Sequence, residues 1–158
     1  MIRPATNHDR DAVRALVFDV LAEHGLSPDP TGTDSDLDDL EREYVNRGGA
    51  FDVLVDDHGV VIGSVGLCRV DGRTCELRKM YLDRNHRGRG FGRALIEHAL
   101  ARAAAMGFGR IELETSSKLP AALTMYERCG FLPFHKEHMA GRCDITLCLE
   151  LLRSRVST

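Results

Sequence analysis

The sequence predicts an α/β domain in which helices flank a mixed, mostly antiparallel sheet, and three observations carry that expectation. Apolar residues recur at helical spacing near the start of the chain. The period changes to that of strands and hairpin turns from Phe51, and near Gly90 a strand runs through a glycine-rich turn directly into a helix. With 158 residues, 43% hydrophobic and 28% charged, the chain has the size and composition of one domain that buries its own core, so residues 1–158 are expected to form a single unit.

Ile2 to Ala5 reads as a short first strand. Thr6 with Asp9 makes a capping box that opens a helix, along which Val13, Leu16, Val17, Val20 and Leu21 recur up to about His24. Pro28 and Pro30 make Gly25 to Gly32 a loop. A weaker second helix is expected from about Thr33 to Arg47, through Leu37, Leu40, Tyr44 and Val45, stopped by Gly48-Gly49. A meander follows: Phe51 to Val55, a turn at Asp57-His58-Gly59, Val60 to Val70 interrupted at Gly63 and Gly66, a turn at Asp71-Gly72, then Thr74 to Leu82.

Ala94, Leu95, Ile96, Ala99, Leu100 and Ala103 place a helix from about Gly90 to Met106, and Ile111 to Thr115 is the strand after it. A strand, helix, strand unit of this kind is expected to be parallel. Pro120 suits the first turn of a further helix to Cys129, ended by Gly130. Strands near Leu132 to His138 and Cys143 to Leu151 close the domain.

Composition excludes several functions. A net charge of -3 gives no electrostatic reason to expect nucleic acid or anionic lipid as a partner. The cysteines at 68, 75, 129, 143 and 148 are odd in number and form no CxxC, which argues against a zinc site or a disulfide framework. No stretch approaches the roughly 20 apolar residues that span a bilayer, and Met1 to Thr6 lacks an apolar signal region, so a cytoplasmic protein without a membrane partner is expected.

The chemistry is concentrated in the run from Met80 to Leu95. Gly88, Gly90 and Gly92 let the backbone approach a ligand closely, and the helix that opens there directs unpaired N–H groups and a positive dipole end at an anion. Arg87, Arg89 and Arg93 can add charge-assisted hydrogen bonds, so phosphate is the expected ligand. A P-loop requires a Gly-Lys-Ser/Thr ending that is absent here, and a dinucleotide-binding GxGxxG fails because Arg93 stands where the third glycine belongs. A glycine-rich connection made soluble by its arginines is the structural alternative.

Arg87-Gly88-Arg89-Gly90-Phe91-Gly92 resembles the Arg/Gln-x-x-Gly-x-Gly/Ala signature of the GCN5-related N-acetyltransferase (GNAT) family. The opening Ile2 to Thr6 and the segment Ala122 to Phe131, with Tyr126 followed by Gly130-Phe131, are similar to the family's beginning and closing segments, so nearly the whole chain is covered. The resemblance implies a V-shaped splay between the central strands, about four flanking helices, and acetyl-CoA as co-substrate. It implies that Met80, Tyr81 and Leu82 hold the pantetheine arm through main-chain atoms. The amides of Arg87, Gly88, Arg89, Gly90, Phe91 and Gly92 would hold the pyrophosphate, with Arg93 flanking.

Two catalytic roles follow from the same resemblance. A lysine-like amine must be neutral to attack, which costs about 4.6 kcal/mol at pH 7. Glu76, eleven residues before Arg87, stands at the register where histone-acetylating members of the family carry their basic glutamate, acting directly or through a water chain; its structural alternative is a strand carboxylate paired with Arg78 or Arg110. Tyr126 is the candidate acid for the departing thiolate, or else a helix tyrosine packed near Phe131. Many relatives carry Asn where this chain has Leu119, and Ser116, Ser117 or Lys118 are its candidate substitutes. Glu112 and Glu114 are candidate second bases or partners of Arg110. Cys129, Cys143, His135 and His138 are expected to be structural or surface residues.

The expected acceptor is the amine of a small molecule or amino acid. The acidic residues Asp29, Asp34, Asp36, Asp38, Asp39, Glu41 and Glu43 would suit a cation, although a solvated helix face explains them equally. Acetylation of a protein lysine or N-terminus, and a non-catalytic acyl-CoA sensor, are the rival readings. The resemblance leaves a homodimer open as the assembly.

Overall fold

In the computed structural model, which describes residues 1–151, seven strands form one sheet. They are β1 (Ile2–Pro4), β2 (Ala50–Val55), β3 (Val61–Arg69), β4 (Thr74–Leu82), β5 (Arg110–Thr115), β6 (Leu132–Pro133) and β7 (Ile145–Glu150), in the spatial order β1-β2-β3-β4-β5-β7-β6. Each neighbouring pair is antiparallel except β4 and β5, the two strands joined through α2 (Phe91–Ala105). Helical segments flank the sheet in four places: α1 (Arg10–Glu23), the short turns at Ser35–Asp38 and Glu41–Val45, α2, and α3 (Pro120–Arg128).

The capping box forms as predicted: Thr6 Oγ1 accepts from the His8 amide and Asp9 Oδ2 from the Thr6 amide. Arg3 grips the same carboxylate with two bonds of 2.9 and 2.8 Å, which ties β1 to the start of α1. The stripe Val13, Leu16, Val17, Val20 and Leu21 is buried throughout. Its members Val13, Val17 and Leu21 join a core with Phe51, Val53, Val55 and Tyr44, while Leu95, Ile96, Ala99 and Ala103 of α2 build a second core with Leu77, Ile111 and Leu113. Burying each such side chain stabilises by about 1.5–3 kcal/mol.

Three elements differ from the sequence expectation. The helix expected over Thr33 to Arg47 is instead a 3-10 turn at Ser35–Asp38 and a π turn at Glu41–Val45, parted by Asp39 in a non-helical conformation. Leu37, Leu40 and Tyr44 are buried as the apolar pattern requires, but Asp34 and Asp36 turn inward as well, so buried ion pairs override the helical period. The strand expected to break at Gly63 and Gly66 is continuous and pairs with β2 through both glycines, and only its pairing with β4 is interrupted, between Ser64 and Gly66. The late strand at Leu132 to His138 is cut to two residues. Pro133 has no N–H to continue the ladder; beyond it the Phe134 amide donates to the Thr146 carbonyl and Thr146 Oγ1 donates to the Phe134 carbonyl.

Two features shape the centre of the sheet. β4 pairs with β5 only from Thr74 to Leu77, so Arg78 to Leu82 are partnered on the β3 side alone. In that stretch the register against β3 slips by a bulge between Ser64 and Gly66, and Lys79 adopts a left-handed φ of 52°. Ser64 Oγ donates to the Lys79 carbonyl at 2.7 Å, while the Lys79 ammonium lies 3.2 Å from both Asp34 and Asp36. Tyr44 donates to Asp36, and Arg142 binds Asp34 with bonds of 2.8 and 2.7 Å, which joins the closing loop to the same buried group.

Two outcomes are expected. A Cβ at Gly66 would lie 2.7 Å from Tyr44 Cε1 and 3.0 Å from Phe51 Cδ2. Gly66→Ala should therefore lose about 1–3 kcal/mol in urea unfolding; unchanged stability would contradict this packing. Burial alone would raise the Asp34 carboxyl, but Arg142, the Asp29 amide and Lys79 hold it below its ordinary value of 3.8. A lowered folded value gives stability that is present above the ordinary range and lost as pH falls through the folded value. Asp34→Asn should cost about 3–5 kcal/mol at pH 7, because Lys79 and Arg142 keep their buried charges. It should also flatten the decline of melting temperature below about pH 4 relative to wild type.

Candidate active site

A cleft of 1160 Å³ opens where β4 has lost its β5 partner. Met80, Tyr81 and Leu82 form one wall, the glycine turn another, and α3 a third through Met125 and Tyr126. Gly88 and Gly90 take left-handed φ values of 74° and 86°, which only glycine adopts without strain. Gly90 is the N-cap of α2 and no side chain caps the helix, so its first-turn N–H groups are open to an anion.

Arg87, Gly88, Gly90, Gly92 and Arg93 line this cleft, whereas Arg89 and Phe91 are not part of its wall. Phe91 packs on the core, and the Arg89 guanidinium lies 5.3 Å over its ring. The arginines are less available than their spacing implies. Arg87 binds Glu23 at 2.7 and 2.9 Å and donates to the Leu82 carbonyl at 3.0 Å, so its side chain clamps α1 to the end of β4. Arg93 pairs with Glu97 at 2.8 Å. The anion-binding capacity of the turn is therefore chiefly that of its backbone.

Tyr126 is 5% exposed, its ring set edge-on to Phe131 with centroids 5.7 Å apart. Its hydroxyl has no hydrogen-bond partner among the described residues, and burial pushes the phenol above its ordinary value of 10.0, which keeps it protonated at neutral pH. Tyr126 packs on Phe131, as the structural reading expects, and it also lines the cleft.

Glu76 is buried on the cleft wall and both its oxygens are engaged. Oε1 accepts from Arg78 at 2.6 Å and Oε2 from Lys136 at 3.2 Å, and the same Lys136 ammonium lies 3.3 Å from Glu114. Arg110 pairs with Glu112 and Glu150. Lys136 was not singled out by the sequence, because it lies in the stretch read as strand and only the fold brings it to residues 60 and 22 positions earlier.

The acidic run is mostly spent on structure. Asp38 pairs with Arg14, Asp39 accepts from Asn7, and Asp34 is sealed by Lys79 and Arg142; only Asp36 and Glu43 of the run reach the cleft. Ser116, Lys118 and Leu119 line the cleft, while Ser117 is bound to Asp144. The Cys129 and Cys143 thiols are only partly buried, and burial raises both. His135 and His138 are exposed and lie outside the strands. A second cavity of 610 Å³ adjoins the first and shares Leu26, Thr33, Ser116, Lys118, Arg142 and Cys143 with it.

Among the described residues no group of side chains could hold a metal, and no helix is long and apolar enough to cross a membrane. Residues 17–131 match the sequence pattern of the acetyltransferase (GNAT) family. The chain is 37% identical over 161 residues to the uncharacterized N-acetyltransferase YjgM of Escherichia coli K12, covering 96% of this chain and 95% of that one. The GNAT-family acetyltransferase of Staphylococcus aureus Mu50 has a TM-score of 0.90 at 21% identity, covering 96% and 99% of the two chains. The spermidine N-acetyltransferase of Vibrio cholerae, solved with CoA and spermine, has a TM-score of 0.72 at 21% identity, covering 96% and 95%. The sequence match across most of the domain, together with the sheet and glycine turn it folds into, establishes that this chain belongs to the acetyltransferase (GNAT) family and is an N-acetyltransferase.

Proposed function

We propose that the chain transfers the acetyl group of acetyl-CoA directly to the amine of a small molecule or amino acid. One observation carries this reading. A left-handed glycine turn with an uncapped helix behind it, a strand edge without its neighbour, and a buried tyrosine whose hydroxyl has no partner among the described residues all line the same cleft. The first suits the pyrophosphate, held by the amides of Arg87 to Gly92. The edge at Met80, Tyr81 and Leu82 suits the pantetheine arm, where strand-like amides can pair with the backbone. The hydroxyl suits the sulfur that leaves.

The amine attacks the thioester carbon, a C–N bond forms, and collapse of the tetrahedral intermediate breaks the C–S bond. Tyr126, kept protonated by burial, gives its proton to the thiolate. Glu76 takes the proton that the ammonium must lose, and its position on the wall beside the unpartnered strand supports that role. A cleft sunk among buried charges supports a small acceptor over an extended peptide, and a structural neighbour solved with spermine is in keeping with an amine of that size. Five free thiols accord with a cytoplasmic setting.

Tyr126→Phe should lower kcat about 100-fold, the lower end of what a general acid contributes, while the acetyl-CoA dissociation constant measured by calorimetry stays within experimental error of wild type. Glu76→Gln should also slow thiol release. If neither substitution slows release with any accepted amine, the catalytic assignment fails. If wild type shows no heat of binding at near-millimolar acetyl-CoA, the donor assignment fails with it.

A further inference from the structure

One face of the sheet changes character at β4. Across β2 and β3 it is apolar and sealed by α1, but from Glu76 onward it carries charge. Glu76 stands opposite Glu112 in the parallel register, so Glu76 and Arg78 share a face with Glu112 and Glu114. The chain after β6 lies over this charged half. Phe134 sits under Arg110 at 5.2 Å, Lys136 reaches Glu76 and Glu114, and Arg142 reaches Asp34.

The Lys136 contact is of a different kind from the others. Its ammonium stands between two carboxylates that belong to the cleft wall, while Lys136 is not part of that wall and enters from the covering segment. The cradle therefore already holds a primary alkylammonium, on a cleft whose wall Tyr126 also lines. The residue type also matters. Only three of the 21 basic residues are lysines, at 79, 118 and 136. An arginine fork would bind a pair of carboxylates more firmly; an ammonium is a compact charge that another ammonium can replace in kind. Burial opposes the charge on Lys136, but Glu76 and Glu114 more than offset it and raise its pKa, so the cradle favours a cation. With its side chain 30% exposed, Lys136 opens toward water, and its departure leaves Glu76 still bound by Arg78.

We infer that Lys136 is an internal stand-in for the acceptor: the substrate is a primary alkylammonium that enters by displacing the Lys136 ammonium from Glu76 and Glu114. This rests on the reading above that the amine is acetylated beside Glu76. The exchange keeps the buried Glu76 paired at every stage, since one cation leaves as another arrives. The bound ammonium gives one proton to Glu76 Oε2, and the neutral nitrogen then attacks the thioester carbon. After the C–S bond breaks, the thiolate takes the Tyr126 proton, and the second proton lost by nitrogen restores the phenol. The proton on Glu76 passes to water. The acetamide product carries no charge, so it cannot hold the cradle against Lys136, which returns and expels it.

The test is binding of 1,4-diaminobutane, measured by calorimetry on wild type and on Lys136→Met and Lys136→Gln, with acetyl-CoA binding and melting temperature determined in parallel. An internal competitor lowers apparent affinity by the fraction of sites it leaves free, so removing one that fills the cradle about nine-tenths of the time should tighten the diamine about tenfold. Wild type and Lys136→Arg should both bind the diamine more weakly than either neutral variant. If a folded neutral variant binds the diamine equally or more weakly than wild type while acetyl-CoA binding is intact, Lys136 only anchors its loop and the inference is wrong. Loss of acetyl-CoA binding by wild type would instead overturn the donor reading on which it rests. Should Lys136→Met fail to fold, Lys136→Gln, which keeps a polar side chain of similar reach, decides the question.

Discussion

Everything distinctive about the cleft depends on Lys79. A non-glycine residue at φ 52° is costly, about 1–3 kcal/mol for a strained backbone position, and it persists because its surroundings hold it from three sides. Ser64 fixes its carbonyl, and Asp34 and Asp36 fix its ammonium. The bulge centred there takes β4 off its earlier register, and pairing with β5 has already ended at Leu77. The same ion pairs hold Thr33 to Asp38 against the strand, and through Arg142 they hold the closing loop. One residue thus sets both the line of the donor strand and the position of two segments that border the acceptor end.

The site is built in two materials. The donor side is mostly backbone: left-handed glycines, an uncapped helix start, and a strand edge. Its arginine side chains are used elsewhere, and the bidentate pairing of Arg87 with Glu23 clamps the end of β4 to α1. The acceptor side is mostly side-chain charge, and each charge is committed to a partner from a different part of the chain. Backbone recognition is tolerant of sequence, so the donor site can be shared widely, whereas side-chain pairs discriminate between acceptors.

That division explains what could be read from the sequence. The stripe of α1, the glycine turn, the α2 helix and the Thr6 capping box rest on residues within a few positions of one another, and each stands where local spacing put it. Tyr126 was legible through its short-range setting before Gly130-Phe131, and its ring does meet Phe131. The misread segment at Thr33 to Arg47 had a correct apolar pattern, yet Asp34 and Asp36 are drawn inward by a lysine more than 40 positions later. Local spacing directs the Arg87 side chain to phosphate, and the Glu23 that binds it lies 64 positions away. Lys136 had no local signal at all. Long-range charge pairing is what periodicity and motif spacing cannot express.

The charge balance of the acceptor end also limits what can bind there. Asp34, Asp36, Glu76 and Glu114 are matched by Lys79, Arg142, Arg78 and Lys136, so these eight ion-paired groups balance one another. Adding a cation to a neutral buried cluster leaves one charge uncompensated, and adding an anion does the same with opposite sign. On the proposed reading a charged acceptor enters by exchange, and exchange requires a resident charge that is both mobile and alike. Lys79 is sealed at 5% exposure, Arg142 is held by a bidentate pair, and Arg78, although 40% exposed, is a guanidinium and not an ammonium, whereas Lys136 is 30% exposed on a covering loop and bound by single contacts. The architecture that makes the donor strand rigid therefore leaves a simple ammonium as the cation the acceptor end can most readily give up.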